Sequence, residues 1–241
     1  MSSQPNTPDQ KTSLALSVAL PAYQERDNLA ILIPEIENIF AEIPFEIIVI
    51  DDNSQDGTIE LLADLQKKFG NIQILERPAL LGIGSALREG YALARGEFIL
   101  SSDADLSFRG ADMSAIYKKI QAGYDMVLGY KISPPQSSIN NRDRLSYMGN
   151  WVVRLVSGIK LKNFNTNFRI FKKSLWQKLN TKEDRNFFLF ETILKAQRTQ
   201  ANFAEIPATF YAREFGRSKI NFFKEAPAYL YKLFYYTFLI K

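Results

Sequence analysis

From Leu14 to Asp105 the chain alternates short apolar runs with amphipathic stretches, and this alternation restricts its fold more than any other feature. Leu14 to Leu20 reads as a strand broken by Pro21. A helical stretch to about Glu42 follows, with apolar residues at Leu29, Leu32, Ile33, Ile36, Ile39 and Phe40. Phe45 to Ile50 is a second strand, and Asn53, Ser54 or Asp56 can cap the helix that runs through Phe69. Ile72 to Leu75 and a helix through Ala94 repeat the unit, Gly96 stops that helix, and Phe98 opens a fourth strand. Short connections between strand and helix imply an α/β fold, a mainly parallel central sheet with helices on both faces.

Further along, Ala111 to Ala122 reads as a helix, Tyr124 to Tyr130 as a strand and Lys131 to Arg144 as a long loop of the disordered or functional kind. A helix from about Leu145 to Ser157, a brief strand Phe168 to Phe171, a helix Phe187 to Ala201 and a strand Phe203 to Tyr211 complete the pattern. Met1 to Lys11 is polar, without the basic and apolar regions of a signal peptide. It is expected to be a disordered tail, which leaves the catalytic part in the cytoplasm.

The fourth strand ends in Asp103-Ala-Asp105. Adjacent carboxylates repel and hold water, so placing them beside a core strand carries a cost that a divalent cation offsets most simply. Cys and His are both absent, which excludes disulfides, thiolate or imidazole zinc sites, Ser/His triads and histidine general bases. Any metal must be held by oxygen, and hard oxygen ligands suit Mg²⁺ or Mn²⁺, ions that commonly share their coordination with substrate phosphates. An isolated Asp-x-Asp is as readily a solvated acidic turn. Neighbouring strand ends add Tyr23 and Glu25, then Asp51 and Asp52, which a parallel sheet brings to the same edge. Gly82 and Gly84 miss dinucleotide spacing because the next glycine is Gly90; they read as a tight turn that lets backbone approach a ligand such as a nucleotide.

A formal net charge of +4 is mild and points to a solvated surface more than to nucleic acid. The end of the chain is distinctive: Tyr229 to Lys241 is rich in aromatics, flanked by lysines, and interrupted by Lys232. A bilayer span takes about 20 apolar residues, so this stretch suits an interfacial helix, with aromatics at headgroup depth and lysines on phosphates. The alternative is a helix packed on the domain.

Four motifs carry a resemblance: Pro21-Ala-Tyr-Gln-Glu25, Ile50-Asp-Asp-Asn-Ser-Gln-Asp-Gly-Thr58, Leu81-Gly-Ile-Gly-Ser-Ala86 and Ser102-Asp-Ala-Asp-Leu106. In order and spacing they resemble the family 2 glycosyltransferases, and within them dolichyl-phosphate mannose synthase and its bacterial polyprenyl-phosphate relatives. Later matches are Arg142, Ser146, Phe168-Arg169, Glu191, Arg213 and Gly216-Arg-Ser-Lys-Ile220. Asn165-Thr-Asn-Phe-Arg169 departs from the family's more usual Asp-x-Thr-Ser-Gly-Phe-Arg.

The resemblance implies a Rossmann-like, nucleotide-sugar-binding fold of the GT-A type and three parts: the tail 1–11, a catalytic domain 12–222 and an amphipathic membrane-interface segment 223–241. It implies that Asp52 bonds the base, with Pro21, Tyr23, Glu25 and Asp51 around it and Gly82 and Gly84 beside the nucleotide. Asp103 and Asp105 would hold Mg²⁺ or Mn²⁺, and Lys131, Arg142, Ser146, Arg213 and Lys219 would grip donor and acceptor phosphates. The implied reaction moves a hexose, mannose or glucose, from GDP-mannose or a UDP-hexose to a polyprenyl phosphate, with inversion. The implied partners are these two substrates, the cytoplasmic face of a membrane and a membrane-anchoring subunit. A glycan or other soluble acceptor, or a non-catalytic nucleotide-sugar-binding domain, are the competing readings.

Overall fold

The computed structural model describes residues 13–132, 141–211 and 222–239. Within them one sheet holds β1 (Leu16–Ala22), β2 (Phe45–Asp51), β3 (Ile72–Glu76), β4 (Phe98–Ser101), β5 (Met126–Ile132), β6 (Arg169–Lys172) and β7 (Phe203–Thr209). Their order is β3-β2-β1-β4-β6-β5-β7. Every pairing is parallel except those of β6, which runs against β4 and β5. The expected tail 1–11 lies outside the described residues.

The helices are α1 (Arg26–Ile39), α2 (Thr58–Phe69), α3 (Ile83–Leu93), α4 (Gly110–Ile120), α5 (Asn141–Ser157), the single turn α6 (Lys173–Trp176), α7 (Phe187–Arg198) and α8 (Phe222–Phe234). Strand residues alternate between two cores because successive side chains point to opposite faces. Val18, Leu20, Ile47 and Val49 meet α1, α2 and α4 on one face. Ala19, Ile48 and Ile50 meet α3, α7 and residues of α5 and α8 on the other. Both faces are covered, which is why the strands read as unbroken apolar runs.

Pro21 does not break β1; it lies inside the strand, opposite Ile50. Ala22 turns its carbonyl to the β2 side, where it accepts from Asp52 N–H at 3.0 Å, while Ala19 turns to the β4 side and accepts from Ser102 N–H at 3.2 Å. Alternation aims Pro21 toward β4, whose ladder with β1 has already ended at Ala19 and Ser101. A missing N–H costs nothing there.

At the amino ends of the strands Glu46 is fully buried, and its carboxylate accepts from Ser17 Oγ (2.7 Å), Gln73 Nε2 (2.5 Å), Arg95 N–H (2.7 Å) and Arg95 Nε (2.7 Å). Desolvation works to raise its pKa, but these hydrogen bonds and the Arg95 charge overcome it and hold the carboxyl below its ordinary range. That edge is electrostatically closed.

Helix α8 and the π-helical turn Tyr235–Leu239 lay one side on the domain through Leu233 and Tyr236, and the Tyr229 ring meets Phe187 at 5.0 Å. Tyr229 Oη donates to Asn165 Oδ1 at 2.7 Å. Lys232 turns inward to Glu183 instead of outward. On the opposite side Leu230, Tyr231, Phe234, Phe238 and Leu239 are exposed. No helix among the described residues is long and apolar enough to cross a membrane.

Candidate active site

Parallel pairing sets the carboxyl ends of β1, β2 and β4 side by side, and the loops leaving them line a cleft of about 160 Å³. Pro21 comes from the end of β1, Tyr23 and Glu25 from the loop after it, Asp52 from the loop after β2, Asp103 and Asp105 from the loop after β4, and Leu80 and Ile83 close it at the start of α3. The backbone around it is tied down. Gln24 N–H donates to Ser54 Oγ at 2.7 Å, and Arg26 N–H to Asp56 Oδ2 at 3.3 Å, joining the first two loops. Thr58 donates its N–H and hydroxyl to Asp56 Oδ1, but the N-cap of α2 is Gly57, in a left-handed conformation, so none of Asn53, Ser54 and Asp56 takes the capping position.

Three non-glycine residues of these loops take positive φ: Gln24 at 57°, Asn53 at 64° and Leu106 at 60°. Such a conformation costs on the order of 1–3 kcal/mol and persists where surroundings enforce it. Leu106 is fully buried among core residues, and Ser107 N–H donates to Asp105 Oδ1 at 3.1 Å. The core therefore anchors the turn that carries Asp105.

Asp51 and Asp52 serve different spaces. Asp52 lines the cleft with the Asp-x-Asp pair, and its carboxylate is ion-paired with Arg77, which is itself buried. Burial pushes the Asp52 carboxyl above its usual range, with Arg77 pulling against it. Arg77 also donates to Ser85 Oγ at 2.5 Å and sits 3.3 Å from Glu89 Oε1. Asp51 lines a second cleft of about 340 Å³ together with Arg77, Asn53, Glu60 and Glu76. Its Oδ2 accepts from Ser54 N–H at 2.8 Å, whereas Asp51 Oδ1 and Arg77 Nε are buried without hydrogen-bond partners among the described residues.

Arg77 is missing from the sequence-derived site, although it is the first residue past β3 and strand-end position alone marks it. Asn167 and Arg169 are brought in by β6. Since β6 runs antiparallel to β4, its amino end lies at the carboxyl edge of the others, and Ser101 is opposite Arg169. Asn167 Nδ2 donates to Asp103 Oδ1 at 3.1 Å. The buried Arg169 guanidinium donates to the carbonyls of Thr166 and Leu189, each at 2.9 Å. Burial pushes it down to about 10, and the negative charge of nearby Asp103 works against that.

Gly82 and Gly84 hold a different approach from the expected one. A Cβ at Gly82 would lie 2.4 Å from the Asp184 carbonyl, and one at Gly84 would lie 2.4 Å from the Glu183 carbonyl and 2.5 Å from Phe188 Cβ. Ser85 N–H donates to the Asp184 carbonyl at 3.1 Å. The backbone these glycines admit is the chain's own, so they shape the cleft through Ile83 and Ser85.

Lys131 is the last but one residue of β5 and sets its ammonium 4.0 Å from the Phe210 ring centroid. Arg142 and Ser146 fall within α5, while Arg213 and Lys219 lie outside the described residues. No group of three or more Asp, Glu, His or Cys side chains able to hold a metal occurs among the described residues. Two carboxylates on one cleft still fit Mg²⁺ or Mn²⁺, which take one or two protein carboxylates and complete their shell with phosphate and water.

The mainly parallel seven-stranded sheet with helices on both faces shares the GT-A type of glycosyltransferase fold with its solved structural relatives. The chain belongs to glycosyl transferase family 2, whose profile matches residues 17–193, and it is therefore a transferase. It is 27% identical over 214 residues to polyprenol monophosphomannose synthase of Mycolicibacterium smegmatis, an alignment covering 85% of this chain and 80% of that protein. With dolichol-phosphate mannosyltransferase of Pyrococcus furiosus it shares 26% identity over 214 residues, covering 86% of this chain and 60% of that one. The chain thus spans three-fifths of that longer relative. Among solved structures, glucosyl-3-phosphoglycerate synthase from Mycobacterium tuberculosis, in complex with Mn²⁺, UDP and phosphoglyceric acid, superposes with a TM-score of 0.70 at 15% identity, covering 94% of this chain and 78% of that one.

Gly84→Ala is expected to lower stability by about 1–3 kcal/mol, the cost of forcing a methyl into a filled space. Urea unfolding monitored by circular dichroism measures it, and a loss under half a kcal/mol would contradict the packing role.

Proposed function

We propose that the chain is an inverting glycosyltransferase that moves a hexose, mannose or glucose, from a nucleotide sugar to a polyprenyl phosphate. The observation that carries this reading is the gathering of Tyr23, Glu25, Asp52, Asp103 and Asp105 on one cleft at the carboxyl edge. The lipid acceptor is supported by the names of the two curated relatives. A soluble acceptor is the second reading, favoured by the phosphoglyceric acid bound in the structural relative.

In this reading the base and ribose lie against Pro21, Tyr23, Glu25 and the Asp51-Asp52 strand end, and the diphosphate extends toward Asp103 and Asp105. An N–H of the base would bond the Asp52 carboxylate, which lines the cleft with Asp103 and Asp105, while Asp51 lines the second cleft. Mg²⁺ or Mn²⁺ held by Asp103 and Asp105 would neutralise the diphosphate as it leaves. A phosphate acceptor is already anionic at neutral pH, so its oxygen attacks the anomeric carbon without a general base. The new carbon–oxygen bond forms as the bond to the diphosphate breaks, inverting the centre. Lys131, Arg142, Ser146, Arg213 and Lys219 are the candidate groups for orienting the phosphates.

We place the membrane contact on the exposed side of α8 and its π-helical turn, with Trp151 and Leu155 of the neighbouring α5 as part of the same surface. Lipid acceptors reside in membranes, which gives this surface a function on the cytoplasmic face. The working division is then a catalytic part, 12–222, and an interfacial segment, 223–241, with an anchoring subunit as a further partner.

Transfer is tested by incubating the protein and Mn²⁺ or Mg²⁺ with radiolabelled GDP-mannose or UDP-hexoses, with and without polyprenyl phosphate, followed by organic extraction. Label enters the organic phase with at least one donor, and Asp103→Asn or Asp105→Asn lowers the rate at least about a hundredfold while the fold is retained. Label that appears only on soluble acceptors would overturn the lipid reading. For the surface, the combined change Tyr231→Ser, Phe234→Ser and Phe238→Ser should weaken co-sedimentation with anionic liposomes. Undiminished binding would remove α8 from the membrane contact.

A further inference from the structure

Behind the cleft-lining Asp103 lies a layer of polar groups that includes Asn167, in the stretch Asn165–Arg169 where the chain departs from the family's usual pattern. Asn167 is buried just before β6, and its side-chain amide makes two hydrogen bonds of opposite sense. Its Oδ1 accepts from Ser101 Oγ at 2.7 Å, and its Nδ2 donates to Asp103 Oδ1 at 3.1 Å. Ser101 is the last residue of β4 and is fully buried, so the relay starts from the most rigid part of the sheet.

This arrangement does more than satisfy a buried amide. A carboxylate on a loop just past a strand end has freedom about two torsions, and a cation site needs its oxygens fixed in direction as well as position. Register supplies the fixing group: β4 and β6 pair Ser101 with Arg169, and extending that antiparallel register two residues brings Asp103 opposite Asn167. The donor is a neutral amide, which orients the carboxylate without putting a second cation beside a metal. The nearby Arg169 guanidinium gives its hydrogen bonds to the backbone carbonyls of Thr166 and Leu189.

We propose that Asn167 is a positioning residue of this site, holding the Asp103 carboxylate in the orientation a divalent cation requires, with Ser101 holding Asn167. The inference rests on the reading of Asp103 and Asp105 as the cation-binding pair.

The test measures Mn²⁺ binding directly, by electron paramagnetic resonance of free Mn²⁺ titrated into the full chain, alone and with GDP or UDP. Melting temperatures in EDTA report the fold separately. Asn167→Ala should weaken Mn²⁺ binding about tenfold or more, the usual effect of losing a group that orients a metal ligand. Ser101→Ala should weaken it in the same direction by a smaller factor, because it releases Asn167 without touching Asp103. A purely structural role would lower the melting temperature of both variants and leave the Mn²⁺ isotherm in place. Folded Asn167→Ala with an affinity within about twofold of the parent would overturn the proposal, given that losses in this class run to tenfold or more. If Asn167→Ala does not fold, unchanged Mn²⁺ binding by Ser101→Ala overturns it. Absence of Mn²⁺ binding by the parent chain would instead refute the cation-binding reading and this inference together.

Discussion

Concentrating carboxylates at one edge of a sheet is unfavourable unless positive charge lies close by. At Asp52 the fold meets this constraint with the buried Arg77 guanidinium, and a second buried guanidinium, Arg169, begins β6 opposite Ser101. Both are fixed by other groups as well. Arg77 reaches Ser85 and Glu89 on α3, and Arg169 reaches two backbone carbonyls, one of them in α7. Helices on the second face of the sheet are therefore fastened to the strand ends by these buried guanidinium groups.

Both edges of the sheet hold a buried polar atom without a partner among the described residues, Asn71 Oδ1 just before β3 at the amino edge, and they differ in what lies beside it. At the amino edge Glu46 is surrounded by donors, and nothing in its network calls for a ligand. At the carboxyl edge Asp51 Oδ1 and Arg77 Nε remain without partners among the described residues. Unpaired buried groups are costly, so their placement beside a cleft points to the edge where binding energy is recovered. Positive φ at Gln24, Asn53 and Leu106 falls in the loops of this edge as well.

Much of this was legible in the residues. The alternation from Leu14 to Asp105 conveys the parallel sheet, and the convergence of Tyr23, Glu25, Asp52, Asp103 and Asp105 follows from parallel pairing alone. What the sequence reading misses depends on contacts distant in the chain. Pro21 signals a strand end locally, yet the tertiary ladder leaves its nitrogen facing a place where no donor is needed. Gly82 and Gly84 signal a close approach correctly, but only the structure shows that residues 183–184 make it. Asn167 joins the site through the one reversed strand of the described sheet, which periodicity cannot distinguish from a parallel one. Lys232 has the residue type for a lipid phosphate and the geometry of an internal ion pair.

The account as a whole turns on whether the carboxyl-edge cleft takes a nucleoside diphosphate together with a divalent cation. Calorimetric titration of GDP and of UDP, each in Mn²⁺ and in EDTA, tests this most directly. The account predicts that at least one nucleotide binds and that Mn²⁺ tightens it. Equal affinity in Mn²⁺ and EDTA, or no binding of either nucleotide, would contradict it.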